Sequence, residues 1–316
     1  MSHSFKATKS QIEKVIKHYR GYEVPPTNDY TLFRAKFNRV NITIYKTETI
    51  LFQGKNEDSE YMLWAEKFSL PTESIKETLP NDHYSELSVI GSDEVGTGDF
   101  FGPVVVAACY VKKEQIKTLR ELGVRDSKLL KDSQIISLAS KITSISPYSI
   151  MVLSNQKYNA MYQEGEVNLN IIKALLHNSV INSLLEKIDK EKDQVDAILV
   201  DEFVPKEKYL EYISKHPHVV SNIETVQKGE SVHLAIAAAS ILARYAFLKQ
   251  MNALSKEHGF TLLKGASEAV DKQIADILSE KGLGVLHNIG KLNFSNYERA
   301  KVILKRLQGV KKPISF

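Results

Sequence analysis

The stretch LSVIGSDEVGTGDFFGPVVVAACYV, residues 87–111, decides how the larger part of this chain folds. An apolar run enters two adjacent acids, Asp93 and Glu94, and a glycine-rich turn leads into a second apolar run that is rich in β-branched residues. This pattern predicts two buried strands joined by a short connection. The two acids stand at the end of the first predicted strand, where a rigid scaffold presents side chains at the edge of a sheet.

The segments that follow alternate between helical and strand patterns. A short apolar strand at 197–200 runs directly into Asp201, and an alanine-rich helix at 234–250 follows Glu230. Other helical patterns lie near 116–122, 133–142, 171–188, 271–280 and 297–307. Strands mixed with helices indicate an α/β domain, which we place at residues 86–316.

The first 85 residues predict a separate, smaller domain of the α+β class. Apolar residues recur at helical spacing in one segment, namely Ile12, Val15, Ile16 and Tyr19. Alternation of apolar and polar residues then predicts short antiparallel strands over 33–37, 40–45 and 50–52. Pro71 and Pro80 mark a predicted linker to the second domain.

Composition sets limits on the class of protein. The chain has 316 residues, with 42 Lys+Arg and 38 Asp+Glu, but the charge is uneven: +5 over residues 1–50, −5 over 51–86 and +6 over 291–316. The start lacks an apolar signal segment and the apolar runs are short or interrupted, so we expect a cytoplasmic protein that does not enter a membrane. The single cysteine, Cys109, excludes an internal disulfide and is predicted to be buried and inert.

The glycine-rich turn does not fit a nucleotide-binding motif, because the spacing after Gly96 and Gly98 is wrong and no Gly-Lys-Ser/Thr follows. The acids are more informative. Carboxylates gathered at one place repel one another unless a cation is present, and an oxygen-rich site suits Mg²⁺ or Mn²⁺. Two such ions are the usual device for hydrolysing a phosphodiester. The candidate ligands are Asp93, Glu94, Asp201 and Glu230.

Each of these acids also has a simpler interpretation. Asp201 could be a turn residue, and Glu230 could be an acid favoured by the positive end of a helix. Asp93 and Glu94 are adjacent, so on a regular strand they point to opposite faces. The sequence therefore predicts that the strand ends or bulges there if both acids are to reach one metal ion.

Four segments resemble, in order, the signature of the type 2 ribonucleases H. They are DEVGTGDFFGP (93–103), DSKL (126–129), residues 197–203 and AAASILAR (237–244). Residues 158–159, 168–170 and 264–267 resemble the ribonuclease HIII branch, as does the extra N-terminal domain. The resemblance implies a ribonuclease-H-like mixed sheet flanked by helices, preceded by a small α+β domain like the TATA-box-binding protein.

The resemblance also implies an activity, which is endonucleolytic cleavage of the RNA strand of RNA–DNA hybrids. Mg²⁺ or Mn²⁺ would be required, with two ions when substrate is bound, and the products would carry 5′-phosphate and 3′-hydroxyl ends. Asp93, Glu94 and Asp201 match three metal-binding carboxylates of the family. Ribonuclease HII has its fourth acid where this chain has Phe247-Leu248, whereas the HIII branch matches Glu230. The alternatives for the fourth acid are Glu202 and Asp271.

The family pattern assigns substrate contacts as well. Gly96, Thr97 and Gly98 would approach the ribose 2′-hydroxyl, and Ser127 is a further candidate substrate contact. Lys128 would meet phosphate, although it could also be a solvated lysine of a loop. Ribonuclease HII has an arginine at the position of Thr97, so its absence predicts cleavage of runs of ribonucleotides rather than of a single embedded one.

The polar face of the N-terminal sheet is a further candidate surface for the hybrid. Its candidate contacts are Arg34, Lys36 and Tyr45, although the same pattern suits the solvated side of a half-buried sheet. Two alternatives to the main interpretation stay open: junction incision of the ribonuclease HII type, and a non-catalytic protein that binds RNA–DNA hybrids. We expect a monomer.

Overall fold

The computed structural model describes residues 2–26, 30–54, 57–68, 83–125, 127–163, 165, 167–189 and 193–310. It divides the chain into two compact units, Met1–Leu79 and Pro80–Phe316. The predicted linker prolines Pro71 and Pro80, and Asp126 of the DSKL motif, lie outside the described residues.

The N-terminal unit is an antiparallel sheet with helices packed on one face. The sheet has the order β1-β4-β3-β2 and is called here the N-terminal sheet. The described elements are β1 (Ser2–Lys6), α1 (Lys9–His18), β2 (Thr31–Phe37), β3 (Val40–Tyr45), β4 (Thr49–Gly54) and α2 (Glu57–Lys67).

The alternation in the sequence explains this unit. Val40, Ile42 and Ile44 of β3 are fully buried and pack with apolar residues of both helices, such as Val15 and Trp64. The predicted helix and three strands are present, whereas β1 was not predicted. Its five residues contain a single large apolar side chain, Phe5, and pairing with β4 rather than local pattern makes it a strand.

The second unit is built on a mixed five-stranded sheet with the order β7-β6-β5-β8-β9, called here the central sheet. Its strands are β5 (Val89–Val95), β6 (Val104–Val111), β7 (Tyr148–Leu153), β8 (Ala197–Asp201) and β9 (Glu224–Val226). Its described helices are α3 (Ile116–Glu121), α4 (Asp132–Ile145), α5 (Asn155–Gln163), α6 (Leu169–Leu185), α7 (Lys206–Ile213), α8 (Gly229–Val232), α9 (Leu234–His258), α10 (Glu268–Glu280), α11 (Leu283–Ile289) and α12 (Ser295–Val310). This arrangement confirms the predicted mixed sheet flanked by helices.

Both faces of the central sheet are covered, which is why β6 is buried at every position. Val105, Ala107 and Cys109 pack into the core formed with α9, and the alternate residues of β6 pack into the core formed with α6. A Cβ atom at Gly91 would lie 2.3 Å from the backbone of Ala235, so this glycine allows α9 to approach β5 closely. Cys109 is fully buried, and burial raises its pKa to about 12, as expected for an inert thiol.

The alanine-rich helix α9 is longer than the sequence predicted, because it continues to His258 and ends at Gly259 in a left-handed conformation. Within the described part of the chain it is the one helix whose length and composition would suit a membrane span. Most of that window is buried inside the second unit, however, as in the core helix of a soluble protein.

Candidate active site

The two adjacent acids lie within β5, which neither ends nor bulges at their positions. Asp93 pairs with Ala107 and Glu94 with Val106 in regular antiparallel register, so the expected irregularity is absent. The acids therefore lie on opposite faces of β5. On the other side of β5, the parallel pairing with β8 ends at Ser92, which lies opposite Val200. The next residue of β8 is Asp201, so all three acids lie beside the point where β5 and β8 part.

Asp93 lies on the face covered by α9 and is 6% exposed. One of its oxygens, Oδ1, accepts a hydrogen bond of 2.7 Å from the Glu94 N–H. Burial raises its pKa well above the usual range, and the negative charges of Glu94, Asp201 and Glu230 raise it further, while a hydrogen bond with Ser240 lowers it. Asp93 is thus at the electrostatic centre of the four predicted acids.

Glu94 faces α6 and is held by a lysine and a histidine side chain from that helix. Lys173 Nζ forms an ion pair with Oε1, and His177 Nε2 lies 2.9 Å from Oε2. Burial alone would raise the pKa of Glu94, but the contacts with His177 and Lys173 outweigh it and lower the pKa. Glu94 is therefore an ionised carboxylate with a fixed orientation.

Asp201 ends β8 and turns towards the start of α8. Its Oδ1 accepts a hydrogen bond of 2.8 Å from the Gly229 N–H. A Cβ at position 229 would lie 2.9 Å from this same oxygen, so glycine leaves room for the contact. Burial raises the pKa of Asp201, the Gly229 hydrogen bond lowers it, and the charge of Glu94 raises it.

Glu230 is held by the segment that carries the predicted substrate residues. The Ser127 N–H donates to Glu230 Oε1 at 3.1 Å, and Lys128 Nζ lies 3.6 Å from Oε2. The Lys128 side chain is 77% exposed, so its ammonium group can reach a ligand from solvent. Ser127 is buried instead, and its hydroxyl lies 2.8 Å from that of Ser240. The structure thus gives Ser127 a supporting position beneath Glu230.

The two alternatives for the fourth acid hydrogen-bond other side chains. Glu202 lies with its carboxylate against Gln227 Nε2, at 2.9 Å, on the side of β9. Asp271 is buried between α10 and α12, where Arg299 and Asn296 hydrogen-bond it. The charge of Glu230 is among the main causes that raise the pKa of Asp93.

The glycine-rich loop 96–103 begins directly after β5. Gly96 has φ +93°, and a Cβ there would meet the Pro103 carbonyl oxygen at 2.2 Å, so only glycine fits. Thr97 is half-buried and Gly98 is exposed with open space around it. Lys291 lies behind the loop, fully buried, and donates hydrogen bonds to the carbonyls of Asp99 and Gly102 at 2.8 and 2.6 Å. The loop is therefore anchored from inside and exposed at its tip.

The candidate residues of the N-terminal sheet share one face. Arg34 pairs with Thr43, Lys36 pairs with Asn41, and these rows continue across β4 to Leu51 and Gln53. Lys36 is exposed, while Arg34 and Tyr45 are half-buried. This face lies opposite the one that packs on α1 and α2.

Sequence reasoning missed three side chains that support the acids, Lys173, His177 and Ser240, and one that anchors the glycine-rich loop, Lys291. The signal for the first two was a lysine and a histidine four residues apart in an apolar helix, which places them on one helix face. Within the described part of the chain, no group of three His, Cys, Asp or Glu side chains is already arranged to hold a metal ion. The four acids form a shared electrostatic cluster, and their all-oxygen donor set fits Mg²⁺ or Mn²⁺.

Comparisons with known proteins show which families the two parts of the chain match. A family described as "Ribonuclease HII" matches residues 90–297, and one described as "Domain of unknown function (DUF3378)" matches residues 2–77. Ribonuclease HIII of Bacillus thuringiensis subsp. konkukian (strain 97-27) is 42% identical over 301 residues, which is 93% of this chain and 96% of the relative. Ribonuclease HIII of Bacillus anthracis matches to the same extent.

Solved structures give the same result. The crystal structure of Bst-RNase HIII in complex with Mn²⁺ aligns with a TM-score of 0.70 at 36% identity, covering 97% of this chain and all of that one. Aquifex aeolicus RNase H3 aligns with a TM-score of 0.51 at 26% identity, covering 92% of this chain and 99% of that one.

The mixed sheet, the acids where its strands part and the family match over residues 90–297 define the class as the type 2 ribonucleases H. Within that class the chain belongs to the ribonuclease HIII family, as the sequence resemblance predicted, and it is an endoribonuclease.

Proposed function

We propose that this protein hydrolyses the RNA strand of RNA–DNA hybrids with two Mg²⁺ or Mn²⁺ ions. The observation that carries the proposal is the environment of Asp93, a buried carboxyl whose pKa is raised by burial and by the charges of three neighbouring acids. Such a cluster is costly without a compensating cation. A divalent ion, together with the phosphate oxygens of a substrate, provides that compensation.

The residues that would hold the ions are Asp93, Glu94, Asp201 and Glu230. When bound, the ions activate the attacking water and stabilise the leaving oxygen. The water oxygen bonds to phosphorus, the bond from phosphorus to the 3′-oxygen breaks, and that oxygen takes up a proton. The products are a 5′-phosphate and a 3′-hydroxyl.

The chain's own part in this reaction is to fix the orientation of the acids. Backbone N–H groups of Glu94, Gly229 and Ser127 donate to the carboxylates of Asp93, Asp201 and Glu230, respectively. A carboxylate held by a backbone donor has few alternative orientations. Mg²⁺ demands near-ideal geometry, so preorganisation of this kind favours its binding.

Recognition of RNA is assigned to the loop 96–103 and to Lys128. Thr97 and the exposed backbone at Gly98 follow Asp93 and Glu94 closely in the chain, and we assign the ribose of the substrate to this position. The 2′-hydroxyl distinguishes RNA from DNA and can bond both donors and acceptors. Lys128, exposed beside Glu230, meets a phosphate of the substrate.

The N-terminal sheet binds the backbone of the hybrid through Arg34, Lys36 and Tyr45 in this proposal. The exposed ammonium group of Lys36 and the row of polar side chains beside it support that role. Contacts of this kind add affinity without reading sequence. We propose that the protein acts in the cytoplasm as a monomer.

Substrate choice follows from Thr97, which occupies the position of an arginine in ribonuclease HII. We propose that cleavage requires a run of ribonucleotides. The test uses a hybrid with several ribonucleotides and a duplex with a single one, each incubated with Mg²⁺, Mn²⁺ or EDTA. Cutting of the first substrate alone, abolished by EDTA, is expected. Cutting of both would establish incision of the ribonuclease HII type, and binding without cutting would establish a non-catalytic hybrid-binding protein.

A further inference from the structure

Helix α6 presents a lysine and a histidine side chain to one acid of the site. Lys173 and His177 are four residues apart, on the same face of the helix, and each contacts a different oxygen of Glu94. Lys173 is 8% exposed and His177 is fully buried. Lysine is seldom buried, so an ammonium group in this position requires an explanation.

The clamp, defined as Lys173 and His177, is itself held in place. His177 Nδ1 lies 2.6 Å from Ser92 Oγ, which donates to the Ala107 carbonyl oxygen at 3.0 Å. The chain of contacts thus runs from Glu94 through His177 into the pairing of β5 with β6. His177 cannot turn without breaking it.

Phe203, which follows β8 in the chain, contacts both side chains of the clamp. Its ring stacks on the His177 ring, with centroids 5.5 Å apart and planes 21° apart. The Lys173 ammonium group lies 4.0 Å from the centroid of the same ring. Phe203 follows Asp201 by two residues, so one aromatic ring couples the clamp on Glu94 to the strand that carries the next acid.

We infer that Lys173 and His177 are positioning residues, which fix the carboxylate of Glu94 in the orientation needed to bind the metal ions. This inference rests on the proposed metal-dependent function. A glutamate side chain has several rotatable bonds, and ordering it costs conformational entropy. The clamp orders the Glu94 side chain when the protein folds, because both of its carboxylate oxygens are then in contact with Lys173 or His177. Groups that orient a metal ligand typically change metal affinity by about 10–100-fold when they are removed.

A purely structural ion pair is the competing interpretation, since a buried pair also affects stability when one partner is removed. The two interpretations predict different affinities of the variant proteins for the metal ion. A structural pair changes the melting temperature and leaves the dissociation constant for Mn²⁺ unaltered in the folded protein. Positioning residues change that constant even where the protein remains folded.

The experiment is calorimetric titration of the full-length protein with Mn²⁺ alone, below the melting temperature of every variant. Lys173→Met keeps the length of the side chain and removes its charge, and we expect Mn²⁺ affinity to fall by about 10–100-fold. Lys173→Arg restores a cation and should recover part of the affinity. Lys187→Met is the matched control, because Lys187 donates to the Tyr148 carbonyl and has no contact with the acids.

Kinetics give a second measure on the same proteins. Lys173→Met should raise the Mn²⁺ concentration needed for half-maximal cleavage, with the KM for the hybrid unchanged at saturating metal. Unaltered or tighter Mn²⁺ binding in folded Lys173→Met would overturn the inference. An Asp201→Asn variant separates this failure from failure of the proposed function: if it binds Mn²⁺ like the wild type, the metal site itself is wrong.

Discussion

The two sheets differ in how many of their faces are covered. The described helices of the N-terminal unit pack on one face of its sheet, and the other face carries polar side chains such as Lys36. The central sheet is covered by α9 on one face and α6 on the other, and β6 is buried throughout. A sheet with a free face offers a broad surface, whereas a sheet covered twice can present polar chemistry only where its strands part or end. This difference supports the proposal that the first sheet binds the hybrid and the second carries the catalytic acids.

The largest expected effect comes from the central sheet. Asp201→Asn should lower the cleavage rate at saturating Mg²⁺ by at least about 100-fold, since loss of a ligand exceeds the typical loss of a group that merely orients one. The measurement is single-turnover cleavage of a hybrid. Glu202→Gln is the control, because its carboxylate bonds Gln227 on the side of β9. A fully active Asp201→Asn protein would refute the assignment of this acid.

A smaller effect, of a different kind, is expected from the N-terminal sheet. Deletion of residues 1–79 should raise the KM for the hybrid by at least about tenfold and leave kcat within a few-fold, because lost phosphate contacts weaken binding rather than chemistry. Steady-state kinetics on a truncated protein whose fold is verified by circular dichroism provide the measurement. An unchanged KM would remove the binding role of this unit.

Full-length variants sharpen that result. Arg34→Ala with Lys36→Ala should weaken hybrid binding and reduce its salt dependence by about one unit of slope per residue. Lys14→Ala is the matched control, because Lys14 is an exposed lysine of α1, on the helical side of the unit. Equal effects from both would mean that general charge, rather than the polar face of the sheet, determines affinity.

The last expected effect is on stability rather than activity and contrasts two lysines. Lys36 is exposed, whereas Lys291 is fully buried, and burial lowers the pKa of Lys291 from 10.5 to about 7. The unfolded chain then holds one more proton than the folded protein between about pH 7 and 10.5. Stability conferred relative to Lys291→Met should therefore rise with pH across that window, by at most about 1.4 kcal/mol per pH unit.

Chemical denaturation of both proteins from about pH 6 to about pH 10 measures this difference. Below about pH 7 the charged amine is present in both states, so the difference should be constant there. Parallel stability curves over the whole range would show that Lys291 does not titrate as its burial implies. A neutral amine has two N–H groups, which matches the two carbonyls that it meets.

The sequence predicted elements whose pattern is local and strong. The predicted second apolar run of residues 87–111 forms β6, and α9 begins where predicted because its alanine-rich run starts there. β7 was not predicted, since six residues after a proline are too few to distinguish a strand from a loop. Its pairing with β6, distant in sequence, provides the structure.

The candidate site likewise contains residues that the sequence identified and residues that it did not. Motif resemblance named Asp93, Glu94, Asp201 and Glu230, and the structure brings them into one electrostatic cluster. Sequence did not reveal how Glu94 is held, because Lys173 and His177 lie some eighty residues away and meet it only after α6 packs on the central sheet. Lys291 was missed for the same reason, since a lysine is ordinarily assigned to the surface.

The burial of Cys109 has a practical consequence. The protein has one thiol, in the middle of β6, inaccessible to solvent and with a pKa raised to about 12. Alkylating dyes and spin labels react with thiolates, so they will not modify Cys109 in the folded protein. A cysteine introduced at the exposed Lys14 and another at the exposed Lys141 would therefore be the two labelled positions in an otherwise natural sequence. The distance between the labels, read with and without an RNA–DNA hybrid, would report movement of the two units during substrate capture.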